Sequence, residues 1–283
     1  MNVSQVAVIG AGTMGNGIAQ ICAQSGINVT MIDVSEDVAR RGLETLSGSL
    51  DRLVKKEKIS AQDKDDIVSR IKPSASYEDI RGAELIIEAA TEKEDLKLKI
   101  LKQIDELLDA NAVIATNTSS ISITKLATSV ADPGRFVGMH FFNPVPVMKL
   151  VELIRGLQTT DETHKLAQAF VEKIGKEPIS VKNSPGFVVN RILCPMMNEA
   201  IFAYQEGLAS AEEIDTGMKL GSNQPIGPLA LADLVGLDTL LSVMEVFYDG
   251  FKDPKYRPAP LLQEMVDAGF LGRKSGRGFY DYG

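Results

Sequence analysis

The apolar run Val6-Ala7-Val8-Ile9 stops at Gly10-Ala11-Gly12-Thr13-Met14-Gly15, and a helical pattern starts at once, with Ile18, Ile21 and Cys22 on one face. Strand, G-x-G-x-x-G and helix in that order leave few folds open, because each glycine has its own duty in a dinucleotide-binding turn. Gly10 permits the tight turn, Gly12 lets a pyrophosphate approach the backbone, and Gly15 lets helix and strand pack closely. The helix start offers unpaired N–H groups to phosphates, which brings Thr13 and Met14 into the same candidate site. Glycine-rich turns are common, so the hexapeptide needs its context. A second strand, Val29-Thr30-Met31-Ile32, supplies it by ending at Asp33. A carboxylate about 20 residues past the glycines accepts hydrogen bonds from an adenosine ribose. It also repels a 2′-phosphate, which favours NAD; Arg40 and Arg41, a turn or two later, leave some use of NADP open.

The first half continues to alternate short apolar runs with helical patterns, the mark of βαβ units and a parallel sheet. Helices are expected over residues 36–58 and 61–71, split near Ser60, and strands at residues 85–88, 113–116 and 136–139. The apolar stretch of residues 149–154 follows Phe142-Asn143-Pro144-Val145-Pro146 too closely for a crossover helix, so it reads as an antiparallel edge strand. Composition changes near Lys182-Asn183-Ser184-Pro185-Gly186. Beyond it residues 187–204, 211–220, 228–247 and 260–268 all read helical, separated by Gly and Pro. The expected fold class is α/β: a Rossmann-type, doubly wound, mostly parallel sheet domain with a helical insertion (residues 1–183), followed by an all-helical domain (residues 184–283).

A formal net charge of −8 gives no basic face for a phosphate backbone, so nucleic acid is not an expected partner. No apolar run approaches the roughly 18 residues of a membrane span, and the first residues lack the basic region and cleavage site of a leader. The two cysteines, Cys22 and Cys194, lie far apart in apolar surroundings and read as buried, reduced packing residues. Neither forms a CxxC or sits beside a histidine pattern, so no metal is expected. A cytoplasmic protein is the resulting expectation.

A dinucleotide-binding domain says nothing about substrate, and only two histidines are available for proton transfer. His164, in Asp161-Glu162-Thr163-His164-Lys165, reads as a solvated surface side chain. His140 ends an apolar strand at an edge where such sheets face a ligand; it is either a reactive group or a satisfied core histidine. Glu152 interrupts Leu150-Val151-Glu152-Leu153-Ile154, either as a solvated edge charge or, if the two strands are antiparallel neighbours, as a partner of His140. A carboxylate on one ring nitrogen fixes the tautomer, and a histidine, with an ordinary pKa of about 6.5, then exchanges protons at the other. Asn117-Thr118-Ser119-Ser120 follows a strand at its carboxyl end, the ligand side of a doubly wound sheet. Ser119 equally suits a helix N-cap. Asn190 breaks the apolar face of Phe187-Val188-Val189-Asn190-Arg191-Ile192 and is either exposed or turned toward a cleft.

Taken together, Val8-Ile9-Gly10-Ala11-Gly12-Thr13-Met14-Gly15, Asn117-Thr118-Ser119-Ser120, His140-Phe141-Phe142-Asn143-Pro144, Asn183-Ser184-Pro185-Gly186-Phe187-Val188-Val189-Asn190-Arg191, Pro225-Ile226-Gly227-Pro228 and Gly278-Phe279-Tyr280-Asp281-Tyr282 resemble the (S)-3-hydroxyacyl-CoA dehydrogenases, most closely their short bacterial 3-hydroxybutyryl-CoA members. The resemblance spans essentially the whole chain. It implies NAD as cofactor, an acyl-CoA substrate, His140 as general base with Glu152 as its charge partner, and Ser119 and Asn190 on the substrate's C3 oxygen and thioester region. It further implies Glu92 and Lys97 near the nicotinamide side, Asn117 among the cofactor-binding residues, Ser49 and Lys56 as CoA contacts, and a homodimer through the helical domain. Lys55, Lys56 and Lys58 make a basic cluster that suits CoA phosphates as well as it suits a solvated helix face. Relatives of this architecture oxidise other hydroxy acids or sugar acids such as L-gulonate, and a non-catalytic NAD-binding protein is a reading of another class. With no hydratase segment in the sequence, a stand-alone dehydrogenase is expected.

Overall fold

A computed structural model describes residues 3–283, and the chain divides into two compact units, Met1–Asn183 and Ser184–Gly283. The first unit carries the strands β1 (Gln5–Ile9), β2 (Asn28–Ile32), β3 (Ile71–Ser74), β4 (Leu85–Glu88), β5 (Val113–Thr116), β6 (Phe136–Phe141), β7 (Leu150–Arg155) and β8 (Glu177–Lys182). They form one sheet in the order β3-β2-β1-β4-β5-β6-β7-β8. Pairing is parallel throughout except between β6 and β7. The helices of this unit are α1 (Thr13–Gln24), α2 (Glu36–Lys55), α3 (Ala61–Ser69), α4 (Glu94–Asp105), α5 (Ile123–Ala127) and α6 (Asp161–Lys173). The strand order reverses between β1 and β4, the switch point beside which open α/β sheets bind ligands.

Strand alternation sorts the core. Val6, Val8, Leu85, Ile87, Val137, Met139 and Phe141 point into one cluster with Ile18, Leu46 and Phe170 of α1, α2 and α6. The opposite face includes Gly138, against which Ile123 of α5 packs so closely that an added Cβ would come within 2.7 Å. His140 and Glu152 occupy that second face, since each lies one residue away from a member of the first cluster. Burial on both faces explains why the central strands read as continuous apolar runs.

Three expectations need correction. The helix expected to reach Ile71 ends at Ser69, and Ile71 opens strand β3 beside β2. The β7 strand is antiparallel to β6, as expected, yet it is no edge, because α6 crosses over and β8 pairs with it in parallel. The helix expected over residues 228–247 is broken at Gly236, whose φ of 101° no helix accommodates.

The second unit consists of α7 (Val189–Gln205), α8 (Ala211–Gly221), α9 (Pro228–Val235), α10 (Leu237–Phe251) and α11 (Pro260–Asp267). Its core is built around Met197, Ile201, Leu229, Leu240, Met244 and Phe247. Two buried carboxylates fasten the end of the chain to it. Asp233 accepts hydrogen bonds from the Phe279 and Tyr280 amides and the Tyr282 hydroxyl, and Asp215 accepts the Tyr280 hydroxyl and two amides at the start of α9.

Candidate active site

At the β1–α1 turn Gly10 has φ +106°, and a Cβ there would meet the Ala89 carbonyl at 2.6 Å. A Cβ on Gly15 would lie 1.8 Å from the Gly10 oxygen, whereas one on Gly12 would meet nothing within 4 Å. The turn is thus closed against the sheet and open above Gly12. Helix α1 starts with no side-chain cap and no carboxylate in its first turn, while α2, α3 and α6 each have a Ser or Thr cap. Its first amides, at Thr13 and Met14, are left for an anion at the positive end of the helix. Asp33, just past β2, accepts hydrogen bonds from the Ala11 amide (2.6 Å) and the Val34 amide (2.7 Å). A cavity of about 460 Å³ adjoins it, lined by Gly10, Gly12, Asp33, Tyr77, Leu96 and Ile100. Tyr77, Leu96 and Ile100 escape sequence reasoning, because the turn after β3 brings Tyr77, and α4 brings Leu96 and Ile100, to the cavity beside the glycine turn. Burial, reinforced by the charges of Asp33 and Glu88, raises the Tyr77 phenol above its ordinary pKa. The uncapped helix, the open backbone above Gly12 and the flanking carboxylate fit a dinucleotide.

A second cluster follows β4 and β5. Glu92 accepts hydrogen bonds from the Thr118 hydroxyl (2.6 Å), from the Ser119 amide (2.8 Å) and hydroxyl (3.2 Å), and from the Ser120 amide and hydroxyl. Ser119 is therefore held by Glu92, and the residue that caps α5 is Ser122. Lys97 is buried in α4 with its ammonium 2.7–2.8 Å from both oxygens of Glu88, and 3.7 Å from Glu92. Glu88 also accepts from the Thr116 hydroxyl at 2.6 Å. Asn117 accepts the Phe141 amide at 2.9 Å, which joins the ends of β5 and β6.

His140 and Glu152 are directly opposed in the β6–β7 ladder, and His140 Nδ1 lies 2.8 Å from Glu152 Oε2. Both are buried. A carboxylate at that distance favours the ring form with a hydrogen on Nδ1. The Phe142 ring packs at 4.5 Å from the imidazole. Among the described residues no cluster of His, Cys, Asp or Glu could hold a metal ion.

The other expected site residues lie on helices. Ser49 is half-buried on α2, Lys56 is the exposed C-cap of that helix, and Asn190 is half-buried in the first turn of α7 in the second unit. His164 is not solvated: it is half-buried, bonded to the Ser180 hydroxyl at 2.7 Å, and burial lowers its pKa. Cys22 and Cys194 are buried thiols pushed up to about 12 by desolvation, inert as nucleophiles.

The chain matches the family model described as 3-hydroxyacyl-CoA dehydrogenase, NAD binding domain, over residues 5–184, and that of the C-terminal domain of the same family over residues 186–282. A 3-hydroxybutyryl-CoA dehydrogenase of Bradyrhizobium diazoefficiens is 49% identical over 280 residues, covering 99% of this chain and 96% of that protein. The crystal structure of (S)-3-hydroxybutyryl-CoA dehydrogenase PaaH1 from Ralstonia eutropha superposes with a TM-score of 0.98 at 63% identity, with full coverage of both chains. A diketoreductase structure superposes at 0.88 with 29% identity, again over both whole chains. A glycine turn at the carboxyl end of β1, fitted to a dinucleotide, with a buried His–Glu pair toward the carboxyl end of β6, accords with those matches: the chain belongs to the 3-hydroxyacyl-CoA dehydrogenase family and is an NAD-dependent oxidoreductase.

Proposed function

We propose that this protein interconverts (S)-3-hydroxybutyryl-CoA and acetoacetyl-CoA, with His140 as the proton-transfer group. The observation that carries the reading is the buried 2.8 Å contact between His140 and Glu152 toward the carboxyl end of β6, while Gly12 and Asp33 follow the carboxyl ends of β1 and β2 in the same sheet. NAD, when bound, supplies the acceptor for the hydride that leaves C3. His140 takes the C3 hydroxyl proton at Nε2 during oxidation and returns it during reduction, while Glu152 keeps the ring in register and stabilises the imidazolium. Ser119 and Asn190 hydrogen-bond the C3 oxygen and thioester region, with Ser119 oriented by Glu92. Gly10, Gly12, Thr13, Met14 and Gly15 form the pyrophosphate cradle, and Asp33 takes the adenosine ribose. Lys97 supports the nicotinamide side through Glu88 and Glu92, and Asn117 does so through Phe141. Ser49 and Lys56 meet the CoA moiety. The helical domain takes part in substrate binding through Asn190 and pairs two copies as a homodimer. Among the described residues no helix is long and apolar enough to cross a membrane, and the proposed setting is the cytoplasm.

The structural likeness to a diketoreductase favours one second reading, a carbonyl substrate without CoA. Loss of NADH absorbance with acetoacetyl-CoA, run beside free acetoacetate and NADPH, separates the two. Rapid oxidation of NADH with the CoA ester alone is expected; equal rates with free acetoacetate would transfer the proposal to the second reading, and no turnover with any pairing would move it to another hydroxy acid or sugar acid as substrate. His140→Gln is expected to lower kcat by about 10²–10⁴-fold, the usual contribution of general acid–base catalysis, with NADH affinity retained. A His140→Gln enzyme that keeps most of its turnover would remove the histidine from the mechanism.

A further inference from the structure

The strands of His140 and Glu152 are joined by residues 142–149, a loop with little hydrogen bonding of its own. The Val147 and Met148 amides both turn back onto the Pro144 carbonyl. The Val145 and Met148 carbonyls are taken by a residue distant in sequence: Lys176 Nζ donates to each at 2.6 Å. Lys176 follows Gly175, whose φ of +72° ends α6, and its own amide donates to Val171. The next amide, of Glu177, donates to the Lys149 carbonyl at 2.9 Å, so β8 starts by gripping the last residue of the loop.

The loop is also held from the other side. Val145 is only 2% exposed, and it lies against Gly17 of α1 so closely that a Cβ there would approach its own Cβ to 2.9 Å. The helix that presents its N-terminus to the cofactor thus forms one wall for the loop, and the Lys176 ammonium forms the other clamp. From the loop the connection to the histidine is short, because Phe142 packs on the His140 ring and the Phe141 amide is fixed by Asn117.

We infer that Lys176 is a positioning residue for the His140–Glu152 pair, acting through the loop that joins their strands. A buried ammonium is costly to desolvate, and burial lowers the pKa of Lys176. What offsets that cost is a pair of charge-assisted hydrogen bonds, about twice as strong as neutral ones. A loop fixed by one charged atom at two carbonyls keeps the histidine within the narrow tolerance that proton transfer needs. The inference rests on the reading of His140 as the proton-transfer group.

The chain has only two histidines, so the ¹⁵N imidazole signals of His140 and His164 can be assigned with His140→Gln. Lys176→Met keeps the side-chain bulk and removes the donor. It is expected to lower kcat on the order of 10- to 100-fold, the scale of a displacement of about 1 Å. KM for NADH should stay within about twofold, as for a loss felt only in the reacting geometry. The His140 ring signals should move or broaden while those of His164 hold. Wild-type kcat in the folded variant, or unmoved His140 signals, would overturn the inference. An active His140→Gln enzyme would instead strike the proton-transfer reading, and the His140 signals would still decide whether Lys176 positions the ring. Lys176→Gln, which retains an N–H donor without the charge, is read by the same measurements if the methionine variant does not fold.

Discussion

Gly12 and Gly15 stand three residues apart in one turn, yet an added methyl group would meet opposite fates there. At Gly15 it would lie 1.8 Å from a backbone oxygen, so Gly15→Ala must push α1 off the sheet. At Gly12 it would enter open space, with φ −70° and ψ −168°, values alanine adopts without strain. Gly12→Ala is therefore expected to stabilise the cofactor-free protein by about 0.4–1 kcal/mol through the unfolded chain. It is expected to weaken NADH binding roughly tenfold or more, some 1.4 kcal/mol, because the methyl occupies the approach of the pyrophosphate. Urea denaturation and NADH fluorescence titration read the two effects separately. A Gly12→Ala protein that binds NADH normally would mean that the phosphates do not pass over this residue. The same scale shows what sequence could reveal of the site. His140 and Glu152 are joined by a connection short enough to imply an antiparallel pair, so their meeting was readable from a sequence separation of 12. Lys97 and Lys176 were not readable in this way. The partner of Lys97, Glu88, and the loop carbonyls that Lys176 holds are set by the packing of α4 over β4 and by the α6 crossover, which local pattern does not contain.

Helix ends and sheet edges show a similar division. The central strands β1, β2, β4, β5 and β6 are legible because burial on both faces demands apolar runs. The two strands that sequence reading missed, β3 and β8, are the edges of the sheet, and each contains a proline and a lysine: Ile71-Lys72-Pro73-Ser74 and Glu177-Pro178-Ile179-Ser180-Val181-Lys182. Edge strands carry such residues to discourage further pairing, and the same residues erase the strand signal. The helix ends carry a pH dependence. Asp63 and Glu213 close capping boxes on α3 and α8, and the amides of Ser60 and Ser210, ahead of their hydroxyls, hold both carboxyls below their ordinary values of 3.8 and 4.5. Glu84, bonded first to the Ser4 amide at the start of β1, is lowered likewise. A group depressed in the folded state contributes stability above its unfolded pKa and loses it as pH falls through the folded one. The urea midpoint at fixed ionic strength should hold from pH 7 to about 5 and fall in more acid solution. Asp63→Asn combined with Glu213→Gln should flatten part of that fall; an identical fall in the variant would show that these caps contribute nothing to acid stability.

At the scale of the whole molecule, the doubly wound sheet followed by a helical unit was legible because one half alternates strand and helix patterns and the other contains no strand pattern. Oligomeric state leaves a fainter mark. Large apolar side chains on the helical unit are widely exposed, among them Ile192 of α7 (66%), Leu220 of α8 (82%), Leu234 of α9 (53%) and Leu208 after α7 (77%). Scattered exposed leucines are ordinary, but several on neighbouring helices of one small unit favour burial against a partner. The proposed homodimer gives these side chains a use: a stable interface needs roughly 800 Å² from each copy, and an apolar core within it. Static light scattering at micromolar concentration should then return twice the chain mass. Ile192→Asp combined with Leu220→Asp should shift the species toward the single-chain mass, because each charge would be desolvated without a partner at the interface. A wild-type protein that runs at the single-chain mass under those conditions would rule out the dimer. A double variant that keeps the doubled mass would move the interface away from α7 and α8.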